Sequence, residues 1–225
     1  MTSAPIQQLL GGAVVLAWLT AVVSTALIVR RQWPDQREWS RKVVHIGTGP
    51  VVLLAWWLGI SRAVALPAAL LVTLATALNH RFRLLPAVED VGRHSYGTIA
   101  YGASIATLLA LFWPQHPLAV AAGVLVMAIG DGMAGLLGPQ IRSTRWRLFG
   151  QNKSLGGTAA MAIGAALVLI LLQQIGERMG LETPTLPTLL LLALIATGLE
   201  QLSSFGIDNL SVPIAVGWLW QSWSS

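Results

Sequence analysis

The chain has 225 residues, of which 55% are hydrophobic and only 10% charged, with a mean hydropathy of +0.67. Those proportions exclude an ordinary soluble domain of this length and place the chain in a bilayer. A formal charge of +5 and a pI near 10.7 would suit nucleic acid, but the basic residues fall in short runs between apolar stretches and so report topology; the lack of cysteine excludes disulfides, thiolate metal sites and a cysteine nucleophile.

The first apolar run, Ile6 to Val29, is uncharged and exceeds the roughly 20 residues that cross a hydrocarbon core. It ends at Arg30-Arg31, with no basic residue before it and no small-residue cleavage signature after it, so it reads as a retained span. Further runs are Val43 to Ile60, Ala63 to Leu78, Ser95 to Trp113, Leu118 to Gly138, Thr158 to Ile175, Thr188 to Ser204 and Leu210 to Trp223. The expectation is an all-α, polytopic membrane helical bundle with about seven or eight transmembrane helices, forming one integral-membrane domain over residues 1–225.

Alternating the spans puts Arg30, Arg31, Arg37, Arg41, Lys42, Arg81, Arg83, Arg93, Arg142, Arg145, Arg147 and Lys153 on one side, and only Arg62 and Arg178 on the other. The positive-inside rule makes the first side cytoplasmic. Trp33, Trp39, Trp113, Trp218 and Trp223 fall near span ends, where aromatic belts form.

Ionisable groups near membrane depth are expensive, by roughly 2.5 kcal/mol or more, so each needs a partner or a job. Arg41-Lys42-x-x-His45 stands at the entrance of the second run, where one helical turn would bring Arg41 and His45 onto one face to hold an anion. A loop carrying Asn79, Arg93 and several further charges follows the third run and reads as solvated and self-paired. Asp131, within Gly130-Asp131-Gly132-Met133-Ala134, is the most informative position, because it interrupts an uncharged segment. Gly130, Ala134 and Gly138 recur at helical spacing and let a neighbouring helix approach; packing explains these small residues and leaves the carboxylate unexplained.

Gln151 to Thr158 is a polar, glycine-rich turn in which Lys153, Ser154, Gly157 and Thr158 open a span as a phosphate cradle would, although it is no Walker A sequence. Glu200 lies inside the seventh run, and Asp208-Asn209 just beyond it. All these groups converge on one membrane face. Carboxylates, cations and a glycine-rich helix start are the parts that phosphoryl transfer needs.

Taken together, Arg41-Lys42-x-x-His45, Gly130-Asp131-Gly132-x-Ala134, Lys153-Ser154-x-x-Gly157-Thr158 and Asp208-Asn209-Leu210-Ser211-Val212-Pro213 resemble the polyprenol kinase family, which includes dolichol and phytol kinases. The resemblance runs over residues 41–213 and is strongest to the phytol kinase branch of cyanobacteria and plastids. It implies a bacterial, multi-pass membrane enzyme of the plasma or thylakoid membrane, with its active site on the cytoplasmic side. It further implies transfer of the γ-phosphoryl group of CTP, with Mg²⁺, to an isoprenoid alcohol. Phytol, giving phytyl phosphate on the way to tocopherol, is the first choice; geranylgeraniol, farnesol and longer polyprenols are alternatives. Nucleic acid is no partner in this reading.

Carried over by position, the resemblance makes Asp131 the magnesium or base carboxylate and sets Lys153, Arg41 and Lys42 on phosphates with His45, Ser154, Gly157 and Thr158 beside them. Asp208 is a second metal candidate, and Asn79, Arg93, Glu200 and Asn209 are further site candidates. Where many relatives carry a Glu in the lysine motif this chain has Gly156, so the role of that Glu is either absent here or moved, with Glu200 or Asp208 as candidate substitutes. A membrane cytidylyltransferase is the enzymatic rival and would release pyrophosphate instead of CDP. A transporter would use Asp131 and Glu200 as a coupling pair, but it calls for ionisable groups along a path rather than at one surface.

Overall fold

The computed structural model describes residues 4–82, 96–202 and 204–224. Helix α1 (Ala4–Gln32) is apolar on all sides and largely exposed, as suits a helix facing lipid. The expected second span is broken in two, α2 (Arg37–Thr48) and α3 (Val51–Trp57), because Pro50 has no N–H with which to continue the helical ladder. α2 is strongly amphipathic and lies against α1, where the Trp18 indole donates to the Gly47 carbonyl at 2.8 Å. At the other end of α1, Gln8 donates to Gly59 O and accepts from Ser61 N, tying it to the turn before α4 (Arg62–Phe82).

After α5 (Gly97–Phe112) the chain turns at residues 113–116 into the central rod of the molecule. That rod is α6 (Pro117–Leu125), a π-helical turn (Val126–Asp131) and α7 (Gly132–Leu137). Every residue of α6 is buried, so this helix is surrounded by others rather than by lipid. A short hairpin of β1 (Arg145–Leu148) and β2 (Gln151–Ser154) leads into α8 (Leu155–Arg178), α9 (Leu186–Gln201) and α10 (Asp208–Trp223). The core joins α6 and the π turn to buried faces of α5, α8, α9 and α10.

The rod and α8 run antiparallel in close contact. A Cβ on Gly130 would meet Met161 Sδ at 2.6 Å, one on Gly164 would lie 3.2 Å from Gly130 Cα, and one on Gly138 would lie 3.1 Å from Gly157 Cα. The small residues recognised at helical spacing therefore do bring a neighbouring helix onto the backbone of the rod.

The bundle is helical as expected, but the number of spans is not. Four helices among the described residues are long and apolar enough to cross a membrane: Pro5–Gln32, Arg62–Phe82, Pro117–Leu137 and Leu155–Arg178. The others fall short because the second run is broken at Pro50, and α5, α9 and α10 have only 16 residues each, roughly 24 Å of helix.

Two smaller expectations also change. The stretch read as a glycine-rich turn begins as a strand: Gln151–Ser154 pairs with Arg145–Leu148 in a hairpin with a two-residue turn, Arg145 opposite Ser154 and Leu148 opposite Gln151. Its turn residues Phe149 and Gly150 both have positive φ, at 47° and 78°, as a type I′ turn requires. Trp113 is no belt residue: it is only 1% exposed and its indole donates to Ile60 O at 2.9 Å, because the chain end of α5 folds inward under the α3–α4 turn. Trp33 and Trp218 are exposed at helix ends, in keeping with a belt.

Candidate active site

One end of the bundle holds a cavity of about 310 Å³ to which five parts of the chain contribute. α2 supplies Glu38, Arg41 and Lys42, and the rod supplies Asp131, Ala134, Gly135 and Gly138 at one-face spacing. The hairpin and the start of α8 add Arg145, Gln151, Asn152, Lys153, Ser154, Gly157 and Thr158, while the α9–α10 corner adds Glu200, Gln201, Gly206, Asp208 and Asn209.

Asp131 closes the π-helical turn, a wide turn that often marks functional positions in otherwise regular helices. Lys42 Nζ donates to its Oδ2 at 2.6 Å and to its backbone O at 2.9 Å. Gly135 makes that reach feasible, since a Cβ there would lie 2.3 Å from Lys42 Cε. Behind the carboxylate, His45 Nε2 lies 3.3 Å from Asp131 Oδ2 and 3.2 Å from Met127 O, with its ring stacked on Tyr101 at 4.5 Å.

Arg41 donates to Glu38 Oε2 through Nε at 3.0 Å and Nη2 at 2.8 Å. Burial alone would lower its pKa; Glu38, and beyond it Asp131 and Asp208, outweigh that and raise it, so the guanidinium is a permanent cation.

On the far wall, the Lys153 ammonium pairs with Glu200 Oε1 and also donates to Glu200 O at 2.9 Å. Gln201 Nε2 bridges Glu200 Oε2 at 2.7 Å and Thr158 Oγ1 at 3.0 Å. Ser154 caps α8: its Oγ accepts from Gly157 N at 3.1 Å, and Ser143 Oγ accepts from Gly156 N at 3.0 Å. The glycine-rich helix start is thus already capped by hydroxyls, and its end faces the cavity.

Carboxylate oxygens of Asp131, Glu200 and Asp208 lie within 4.8 Å of one another. The buried Oε1 of Gln201 has no partner among the described residues. An all-oxygen donor set of this charge suits a hard divalent cation such as Mg²⁺. The residues therefore fit the metal that the resemblance implies.

The cations facing the cavity keep donors in reserve. An ammonium has three N–H groups and a guanidinium five; among the described residues Lys42 and Lys153 each make two hydrogen bonds and Arg41 two. Each of these cavity-lining cations thus has more N–H groups than those bonds use.

Of the residues singled out from sequence, Asp131, Lys153, Arg41, Lys42, Ser154, Gly157, Thr158, Asp208, Glu200 and Asn209 all line this cavity. His45 does not; it supports Asp131 from behind. Asn79 is buried on α4 away from the cavity lining, and Arg93 lies outside the described residues. Sequence reasoning missed Glu38, Arg145 and Gln201. Glu38 was detectable through its i, i+3 spacing to Arg41 and Arg145 through the Phe149-Gly150 turn, which sets the hairpin register; nothing local marks Gln201.

The chain is 40% identical over 198 residues to the phytol kinase of Synechocystis sp., which covers 88% of this chain and 84% of that protein. It is 28% identical over 225 residues to phytol kinase 1 of Arabidopsis thaliana chloroplasts, covering 92% and 71%. Similarity to the chloroplastic farnesol kinase of Arabidopsis thaliana is 29% over 145 residues, 58% of this chain and 46% of that one. No family model matches the chain, and no solved structure is significantly similar to it.

Proposed function

The chain belongs to the phytol kinase family, and on that premise we propose that it moves the γ-phosphoryl group of a nucleoside triphosphate onto the hydroxyl of phytol. The observation that carries this reading is the cavity in which Asp131, Glu200 and Asp208 meet Arg41, Lys42, Arg145 and Lys153. CTP as donor, Mg²⁺ as cofactor and a cytoplasmic site are further parts of the proposal; the family resemblance supports the first two, and the basic residues around the cavity support the third.

In the reaction the alcohol oxygen forms a new bond to the γ-phosphorus while the bond to the β,γ-bridging oxygen breaks. The nucleoside diphosphate leaves with that electron pair, and the hydroxyl proton passes to a carboxylate of the cavity. The spare N–H groups of Arg41, Lys42 and Lys153 bind phosphate oxygens and hold donor and acceptor in line. His45 and Lys42 fix the Asp131 carboxylate from two directions, so it meets substrate already oriented. Asp131, Glu200 and Asp208 would hold Mg²⁺, which supplies charge neutralisation at the phosphates.

The test is to incubate detergent-purified protein with Mg²⁺, γ-labelled CTP, UTP or ATP, and phytol, geranylgeraniol, farnesol or a long polyprenol. Label should enter phytyl phosphate, with CDP as co-product. Label in no lipid overturns the kinase reading, and release of pyrophosphate favours a cytidylyltransferase.

A further inference from the structure

We propose that the corner between α9 and α10 is the acceptor subsite: Asn209 takes the hydroxyl of the isoprenoid alcohol, and Phe205 and Ile207 guide its chain from the cavity into lipid. This rests on the reading of the chain as an isoprenoid-alcohol kinase and says where that substrate binds.

Asn209 is only 4% exposed and lines the cavity. Its amide Nδ2 donates to Gly206 O and to Asp208 Oδ1, both at 3.3 Å, but its Oδ1 has no partner among the described residues. A buried carbonyl oxygen left unpaired is destabilising and is satisfied by a ligand that brings a donor. An alcohol hydroxyl is such a donor. Bound there it sits beside Asp208, one of the three clustered carboxylates of the cavity.

The same corner turns an apolar surface outward. Leu202, Phe205 and Ile207 are exposed, Phe205 to 60%. The other cavity walls carry Glu38, Arg41 and Arg145, charged groups that suit water and, at the two arginines, phosphate. Gly206, which stands between Phe205 and Ile207 in the chain, lines the cavity, so these two apolar side chains flank a cavity residue at this corner.

Phe205 is also held in an unfavourable backbone conformation. Its φ is +54°, in the left-handed region that bulky residues rarely adopt, and Tyr96 N pins its carbonyl at 3.0 Å. A glycine would fit there better, and the exposed ring belongs to no hydrophobic core among the described residues. Contact with an apolar ligand beside the cavity is what the ring provides.

The chain contains no cysteine, so Phe205→Cys introduces a unique thiol. Its alkylation by a maleimide is followed with phytol, with CTP, and with phosphatidylcholine alone. Phytol should slow alkylation by about tenfold while CTP and phosphatidylcholine leave it unchanged. Equal rates with and without phytol overturn the subsite, and protection by phosphatidylcholine alone identifies a merely lipid-facing residue and also overturns it. Because this readout needs no phosphoryl transfer, phytol protection in a protein that phosphorylates no alcohol would uphold the subsite while removing the kinase reading.

Phe205→Gly provides the kinetic arm, since glycine accepts the positive φ and keeps the turn. The KM for phytol should rise about fivefold or more with the KM for nucleotide unchanged. An equal rise in both overturns the proposal.

Discussion

Lys42 and Asp131 are 89 residues apart in sequence, yet Lys42 Nζ donates both to the Asp131 carboxylate at 2.6 Å and to its backbone carbonyl at 2.9 Å. These two hydrogen bonds from one ammonium, to side chain and main chain, fasten α2 to the end of the π-helical turn. The pairing also holds one carboxylate oxygen, Oδ2, against a fixed cation in a residue that lines the cavity. The site is therefore assembled by helix packing rather than by any local motif.

Replacing Asp131 by Asn keeps the shape and the acceptor for Lys42 but removes the charge. Turnover should fall at least about 100-fold, the scale seen when a single charge-stabilising group is lost. Gel filtration and the thermal midpoint check that the variant remains folded; full activity in a folded variant would remove Asp131 from the chemistry.

Gly135→Ala tests the same pair without touching either partner. The new Cβ would lie 2.3 Å from Lys42 Cε and 2.7 Å from Nζ, and because those atoms end a flexible side chain, the lysine moves aside rather than the helix. Asp131 then loses its ammonium. Activity should drop about tenfold with little change in thermal midpoint, measured as kcat/KM against Tm. A wild-type rate would show that Lys42 is dispensable in this position.

Much of this site was legible in the sequence because a charge in an apolar run needs a reason: Asp131 and Glu200 stand out on that ground alone, and Lys153 by its place in the glycine-rich turn that opens a span. Their partners were not legible. Lys153 meets Glu200 across 47 residues and Lys42 meets Asp131 across 89, and no helical period connects positions so far apart. The π turn was hidden too, since Val126 to Asp131 has the composition of any apolar helix. Span counting failed where hydropathy runs straight through Gly49-Pro50, a break set by backbone chemistry rather than by polarity.

Trp113 offers a test of the fold at the end of the bundle away from the cavity. Trp113→Phe removes the indole N–H that satisfies Ile60 O and leaves a gap in a fully buried position. The lost hydrogen bond and the gap together should cost about 1–3 kcal/mol. The thermal midpoint should fall by several degrees while kcat of the remaining folded protein is unchanged; an unaltered midpoint would mean that the indole bond contributes nothing.

The Lys153–Glu200 pair separates catalysis from structure. Both side chains are largely buried, and removing one partner of a buried pair leaves the other charge uncompensated, at a cost of about 3 kcal/mol. Glu200→Leu alone should therefore lower both stability and activity. Adding Lys153→Met removes the stranded charge, so the double variant should regain most of the lost thermal stability, as apolar replacements of buried ion pairs commonly do. It should not regain activity, because a phosphate donor and a carboxylate of the cavity are both gone. Thermal midpoints and phytol phosphorylation measured on the single and double variants check this together: recovery of activity along with stability would make the pair purely structural.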